Sequence, residues 1–199
     1  AKPAANEIWY TTTDGEMANL RSHINPQPIS NIYDDEKEVW IMTFANDLES
    51  VPHSEGVFEN ERCSAIKTIL LPDGIKSISE LSVTALSSLE SINIPEGVTH
   101  IGQYAFNGCS SLKSLTIPSS VTTIDIYSTF ENCAGKLIVN CNLPNYTSSW
   151  QSPFESNKFT EVYFGNGVTE IGDYTFSNSA NLNYVHIPEG VTRIGDYAF

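Results

Sequence analysis

The sequence repeats itself along most of its length. Residues 89–106 (LESINIPEGVTHIGQYAF) return as residues 182–199 (LNYVHIPEGVTRIGDYAF), and weaker copies lie before and between them. Each copy begins with an apolar residue, and successive starts are 23, 23, 26, 21 and 23 residues apart, at Ile66, Leu89, Leu112, Ile138, Phe159 and Leu182. An earlier, more diverged copy begins at Val39, which gives about seven coils. A period of this length predicts a solenoid, in which a coil buries its apolar face only by stacking on its neighbours.

Each coil has the pattern of two short strands. In residues 89–106, Ile92 and Ile94 alternate with polar residues, so both should point inward from a first strand. A proline then follows, at a position where a strand can end because no further ladder donor is needed. Val98 and Ile101 predict a second short strand.

Two local features complete the coil. Gly102 and its copies Gly172 and Gly195 follow the second strand, where we expect a positive φ angle. The Y-A-F step at residues 104–106 predicts a helical turn that carries an aromatic ring into the core. The sequence therefore predicts a β-rich solenoid of short strands and helical turns.

The copy that begins at Ile138 departs from this pattern. Residues 141–144 (CNLP) match the end of a first strand, but residues 145–154 (NYTSSWQSPF) replace the V-T-x-I-G-x-Y-A-F part. We expect Trp150 and Phe154 to fill the core in place of the usual isoleucine and phenylalanine. The alternative is a protruding loop in which the two rings contact a ligand.

Residues 1–38 lack the repeat, and a terminal coil needs a cap over its apolar face. We expect this segment to be the N-terminal cap, with Trp9 and Tyr10 as its core anchors. The Asp14-Gly15 turn signal predicts a hairpin between Ile8–Tyr10 and Met17–Leu20. The solenoid then covers residues 39–199. Because the chain stops in the middle of a repeat, at Phe199, we expect it to be C-terminally truncated.

The charge of the chain argues against several classes of partner. It has 24 acidic and 10 basic residues, a formal net charge of −14, whereas nucleic acids and anionic membranes are bound through lysine and arginine. No stretch has the roughly 18 consecutive apolar residues of a membrane-spanning helix. The densest acidic run, residues 34–38 (DDEKE), is expected to be a solvated turn, since it lacks the spacing of a calcium-binding loop.

The cysteines fall into register with the repeat. Cys109 and Cys133 each lie three residues after a core phenylalanine, and Cys63 and Cys109 each lie three residues before the start of a coil. We expect them to be small buried thiols inside the solenoid. A disulfide between Cys109 and Cys133 remains the alternative in an exported protein. No C-x-x-C pair is present, so the sequence predicts no zinc site.

No pattern in the sequence indicates catalysis. The four histidines are scattered, and none lies in a zinc-binding or triad motif; they are His23, His53, His100 and His186. Nucleophile-elbow and phosphate-binding glycine motifs are also absent from the sequence. We therefore predict no catalytic, cofactor-binding or metal-binding residues and no enzymatic activity.

The pattern I-P-x-x-V-T-x-I-G-x-Y-A-F-x-x-C-x-x-L resembles the BspA-like, or treponemal-type, leucine-rich repeats found in surface proteins of host-associated bacteria. The opening residues 6–15 (NEIWYTTTDG) also look like the segment that precedes such repeats in gut Bacteroides-type proteins. The resemblance implies an export signal not present in this chain, a location at the cell surface or outside the cell, and the binding of proteins, including host extracellular proteins. It brings no shared catalytic residues.

The outward side of the first strand is the remaining candidate surface. The middle coils present serine, threonine and asparagine there, whereas the last two present Glu161, Tyr163, Tyr184 and His186 together. Tyrosine buries much area at low entropic cost, so these four residues are our candidate for a protein-binding site. Two alternatives stay open: the rings only stabilise the sheet, or the solenoid is an architectural stalk that presents another domain.

Overall fold

The computed structural model describes residues 1–18, 26–52 and 63–199, and these form a β-solenoid of about six turns. Three N-terminal strands come first: β1 (Glu7–Thr12), β2 (Pro28–Asp34) and β3 (Val39–Phe44). They pair antiparallel, with β3 lying between β2 and β1. On its other edge, β1 pairs antiparallel with β5 (Ile66–Leu70), which begins the longer ladder of the solenoid.

The solenoid has two ladders of parallel strands. The first ladder contains the longer strands together with the two-residue strand β7: β5 (Ile66–Leu70), β7 (Ser91–Ile92), β9 (Ser114–Ile117), β11 (Ala134–Val139), β12 (Lys158–Phe164) and β14 (Tyr184–His186). Two-residue strands form the second ladder, as predicted: β4 (Ser50–Val51), β6 (Ser77–Ile78), β8 (His100–Ile101), β10 (Thr123–Ile124), β13 (Glu170–Ile171) and β15 (Arg193–Ile194).

The N-terminal segment differs from two predictions. Val39–Phe44 does not lead a parallel coil, because it runs antiparallel between β1 and β2. The hairpin between Ile8–Tyr10 and Met17–Leu20 is also wrong, since β3 and β5 already occupy the two edges of β1; Leu20 itself lies outside the described residues. Tyr10 is fully buried in the core, and Trp9 is buried on the opposite side of the strand.

Helix is nearly absent from the part of the chain that the structure describes. It is limited to two single 3-10 turns, Cys63–Ala65 and Ser149–Gln151. The predicted helical turn at residues 104–106 is an irregular turn, in which Tyr104 adopts a φ of 56°. Tyr174 and Tyr197 repeat this left-handed conformation in their own coils.

Gly102, Gly172 and Gly195 do not adopt the predicted positive φ. Glycine is required at these three positions because the backbone there lies so close to the preceding coil that a Cβ atom would clash with it. A Cβ atom at Gly102 would lie 2.6 Å from the Glu80 nitrogen, and one at Gly172 would lie 2.1 Å from the Pro144 carbonyl oxygen. The tight stacking of coils, and not an unusual local backbone, explains these glycines.

A continuous stack of phenylalanine rings fills the centre of the solenoid. Phe106, Phe130, Phe154, Phe176 and Phe199 follow one another from coil to coil, with ring-centroid distances of 5.6, 5.0, 4.6 and 6.0 Å. Aromatic pairs at such distances contribute beyond the area they bury. The first four rings are fully or almost fully buried.

The aberrant coil joins this stack with a different register from the predicted one. Leu137 and Val139 pair with the core residues of both neighbouring coils, so β11 ends four residues before the match at Pro144 suggested. Phe154 is fully buried, as expected. Trp150 does not fill the core, because it is carried outward on the Ser149–Gln151 turn and is 62% exposed. Tyr146, earlier in the same segment, is buried but lies outside the core cluster.

Candidate functional site

The first ladder presents its outward side chains in columns, and the predicted site residues lie together at its C-terminal end. Glu161 pairs with Tyr184, and Tyr163 pairs with His186, across the parallel strands β12 and β14. The Tyr163 ring lies 5.3 Å from the Tyr184 ring and 5.9 Å from the His186 ring, measured between centroids. Tyr184 and His186 are exposed, whereas Tyr163 and Glu161 are half-buried.

The carboxylate of Glu161 fixes the position of Tyr163. The Tyr163 hydroxyl donates a hydrogen bond to Glu161 Oε2 at 3.0 Å. This hydrogen bond to the neutral hydroxyl raises the pKa of Tyr163, and burial and the negative charge of Glu161 act in the same direction. Tyr163 therefore acts as a neutral aromatic surface over the whole physiological pH range.

Two further residues belong to this surface, and the sequence analysis missed both. Lys136 and Ile138 lie outward on β11, directly beside Glu161 and Tyr163. Lys136 Nζ lies 3.6 Å from the centroid of the Tyr163 ring, a cation–π contact. We call Lys136, Ile138, Glu161, Tyr163, Tyr184 and His186 the C-terminal patch.

The predicted register of the aberrant coil explains the omission. If residues 141–144 ended the first strand, Val139, Asn140 and Asn142 would face outward, but Val139 is fully buried. The signal that could have found Lys136 is the alternation in residues 134–139 (AGKLIV). Leu137 and Val139 each follow their inward partners on β9, Leu115 and Ile117, by 22 residues, which is close to the length of the repeat. The L-P match at residues 143–144 concealed this alternation.

The middle of the outward surface is polar and partly committed to the fold. Ser91, Ser114 and Thr116 are exposed there. Asn93 accepts a hydrogen bond from the Leu71 backbone nitrogen at 2.7 Å and donates one to the Leu71 carbonyl at 3.1 Å. Asn93 thus replaces strand-to-strand hydrogen bonds next to the short strand β7, which is a structural role.

The cysteines that the structure describes in full are free thiols, and they pack inside the solenoid. Cys109 Sγ donates to the Val83 carbonyl at 3.1 Å, and Cys133 Sγ donates to the Phe106 carbonyl at 3.0 Å. Burial raises the pKa of the Cys133 thiol. In the turn that follows each core phenylalanine, these hydrogen bonds link the thiol to the backbone of the preceding coil, which is a structural role. The side chain of Cys63 lies outside the described part of the chain.

Within residues 1–18, 26–52 and 63–199, no group of three histidine, cysteine, aspartate or glutamate side chains is arranged to hold a metal ion. His100 Nε2 lies 3.0 Å from Asp125 Oδ1 in the next coil, so it contributes to coil stacking. His23 and His53 lie outside the described residues. The C-terminal patch brings aromatic rings, an ammonium group and a carboxylate together on one side of the sheet.

Comparison with known families decides what kind of solenoid this is. Six copies of the BspA type leucine rich repeat region match the chain, over residues 30–152 and 82–199. The chain belongs to the BspA-type leucine-rich repeat family. A search of the curated proteins gives no significant match. Among the described residues, no helix has the length and apolar character needed to cross a membrane.

Several solved structures are similar to this BspA-type repeat protein. One is a leucine rich cell surface protein from Faecalibacterium prausnitzii, at 26% identity and a TM-score of 0.45, over 92% of this chain and 52% of that one. Another is a leucine-rich repeat protein from Bacteroides ovatus, at 16% identity and a TM-score of 0.26, over 100% and 80% of the two chains. A third is the pneumococcal vaccine antigen PcpA, at 15% identity and a TM-score of 0.32, over 85% and 67%. The chain thus spans about half the length of the Faecalibacterium protein.

Proposed function

We propose that this chain is a non-catalytic binding module of an exported bacterial protein, at the cell surface or outside the cell, and that it binds a protein partner through the C-terminal patch. The observation that carries the proposal is the clustering of the Tyr163, Tyr184 and His186 rings on the outward face of the first ladder. The family to which the chain belongs supports a surface location.

The physical properties of the patch suit protein recognition. Tyrosine is enriched among the residues that dominate protein interfaces, because it buries a large area and loses few rotamers. Strand pairing, the hydrogen bond from Tyr163 to Glu161 and the cation–π contact from Lys136 hold the rings in place before binding. Such preorganisation lowers the entropic cost of association.

The charge of the chain favours a protein over the other macromolecules. A formal net charge of −14 opposes binding to nucleic acid and to anionic lipid. Within the C-terminal patch, Lys136 and Glu161 supply one charge of each sign beside exposed rings, which matches the mixed polar and apolar character of protein surfaces. Host extracellular proteins are the partner class that we propose to test first.

An architectural stalk is the second candidate function, and Asn93 is the observation that favours it. Its side chain is used to complete the backbone hydrogen bonds of the sheet and not to face a partner. Ser91, Ser114 and Thr116 continue the same polar surface. In a stalk, this surface would serve only to keep the solenoid hydrated.

A quantitative pull-down from host extracellular proteins tests the proposal. The double substitution Tyr163→Ala and Tyr184→Ala removes two rings of the patch, and Tyr127→Ala removes a tyrosine that is 51% exposed and lies outside it. If each ring contributes about 1 kcal/mol or more to binding, the double variant loses at least about 30-fold in affinity. We expect a captured protein to be lost with the double variant and retained with Tyr127→Ala. Equal capture by all three proteins would overturn the proposal and leave the stalk.

A further inference from the structure

The N-terminal strands extend the outward face of the first ladder beyond the repeats. On this face, Trp9 of β1 pairs with Leu70 of β5 and with Ile41 of β3, and Ile41 pairs with Ile32 of β2. Leu70 is 40% exposed and Ile32 is 65% exposed. An apolar band therefore crosses this end of the sheet, at the opposite end of the molecule from the C-terminal patch.

The edge of this band forms a surface cavity of about 430 Å³. Ile32 and Ile41 supply its apolar wall, while Ser30 and Thr43 line it beside them. The lining strand, β2, is the last strand of its sheet among the described residues. An exposed isoleucine on such an edge strand offers both an apolar contact and unpaired backbone groups to an extended peptide.

Acidic side chains line the other side of the cavity. Asp34 closes the turn after β2, because its Oδ1 accepts hydrogen bonds from the backbone nitrogens of Glu36 and Lys37 at 3.1 and 2.9 Å. Lys37 pairs with Asp34 and lies over the Trp9 ring at 5.4 Å. Among the residues that the structure describes, Lys37 is the only cation of this turn, and it already contacts Asp34 and Trp9.

Three carboxylates of the turn remain, and two of them face the cavity, while Glu38 does not line it. Asp35 and Glu36 line the cavity and are exposed. Within the described part of the chain, neither side chain has an ion pair or hydrogen bond of its own. A cationic side chain of a bound peptide would find two acceptors beside the apolar wall, which is a complementary arrangement of charge.

We propose that this cavity is a second binding site, which takes an extended peptide segment with an aliphatic side chain next to lysine or arginine. The aliphatic side chain packs against Ile32 and Ile41, and the cation faces Asp35 and Glu36. The peptide backbone pairs with β2 over residues 30–34. This site is independent of the C-terminal patch, since the two share no residue.

Fluorescence anisotropy with short labelled and capped peptides tests the site. The probes are Lys-Leu-Lys-Leu-Lys, Glu-Leu-Glu-Leu-Glu and Lys-Ser-Lys-Ser-Lys, so that charge and apolar content vary separately. We expect the lysine–leucine peptide to bind more tightly than both others. Ile32→Ser should weaken its binding about tenfold, the effect of losing one buried aliphatic contact.

Ile29→Ser is the matched control, because Ile29 lies on the same strand, is 68% exposed and does not line the cavity. It should leave binding unchanged, as should the double substitution at Tyr163 and Tyr184. Asp35→Asn combined with Glu36→Gln should weaken binding at low salt and remove its salt dependence. Equal affinity for the lysine–leucine and lysine–serine peptides, or equal loss with Ile29→Ser and Ile32→Ser, would overturn the site without affecting the function proposed for the C-terminal patch.

Discussion

Phe130 is the residue at which the phenylalanine stack can be tested most directly. It is fully buried and contacts three other rings, those of Phe106, Phe154 and Phe159, at 5.6, 5.0 and 6.4 Å. Truncation of a buried phenylalanine to alanine costs about 3–5 kcal/mol of unfolding free energy. Phe130→Ala should lie at the upper end, because aromatic pairs contribute about 0.5–1.5 kcal/mol each beyond buried area.

Phe106 provides the internal comparison. It is equally buried, but among the described residues Phe130 is its one ring partner. Phe130 has two more ring partners, so Phe130→Ala should destabilise the protein by about 1–3 kcal/mol more than Phe106→Ala. Phe199 is 48% exposed at the end of the stack. Phe199→Ala should therefore lower the unfolding free energy least of the three substitutions.

Equilibrium urea denaturation, followed by tryptophan fluorescence, measures this order. The urea midpoint should be highest for Phe199→Ala, lower for Phe106→Ala and lowest for Phe130→Ala, with similar slopes for the three variants. Equal midpoints for Phe106→Ala and Phe130→Ala would refute the additional contribution of ring stacking. A midpoint for Phe130→Ala close to that of Phe199→Ala would refute the placement of the stack in the core.

Three other predictions concern backbone approach and titration. Gly135→Ala should destabilise the protein by about 1–3 kcal/mol, because Gly135 has a φ of 86° and a Cβ there would lie 2.2 Å from a carbonyl oxygen of the preceding coil; Gly167→Ala, with open space around it, should be nearly neutral in the same urea titration. Burial raises the pKa of the Cys141 thiol from 9.0 to about 11, so this thiol ionises at lower pH in the unfolded chain than in the folded protein. Its contribution to stability is present below pH 9 and should decline between pH 9 and 11. Thermal melts across this pH range should show a smaller decline for Cys141→Ala. Glu161→Gln should lower the pKa of Tyr163, since the charged hydrogen-bond acceptor raises it, and an ultraviolet titration of the phenols should show the change.

The repeat arithmetic predicted the fold well because a solenoid core depends on spacing. The inward residues Ile92 and Leu115 are 23 residues apart, as the pattern required, and both are buried. The positive φ predicted for Gly102 was wrong for a physical reason. Local propensity suggests a conformation, but the need for glycine came from the backbone of the preceding coil, which no single repeat contains.

The candidate site was harder to predict, because it depends on the one irregular coil. Tyr163 and Tyr184 could be placed side by side from their equal positions in two regular copies. Lys136 could not, since β11 begins directly after the Cys133 turn and is shifted by four residues from the expected match. A shift of an even number of residues preserves strand alternation, so the apolar residues of the match at residues 141–144 also fitted an inward-facing strand and concealed the shift.

The two strand ladders are interrupted at different places along the stack. The first is interrupted between β7 and β9, where β8 and β10 remain paired, and the second is interrupted after β10, where β9, β11 and β12 remain paired. Each pair of neighbouring coils from residue 66 onward is therefore joined by at least one run of backbone hydrogen bonds. Amide hydrogen exchange should accordingly find no boundary at which one half of the solenoid opens while the other stays protected. The irregular coil interrupts the sequence pattern of the molecule without interrupting the backbone hydrogen bonds that join it to both neighbouring coils.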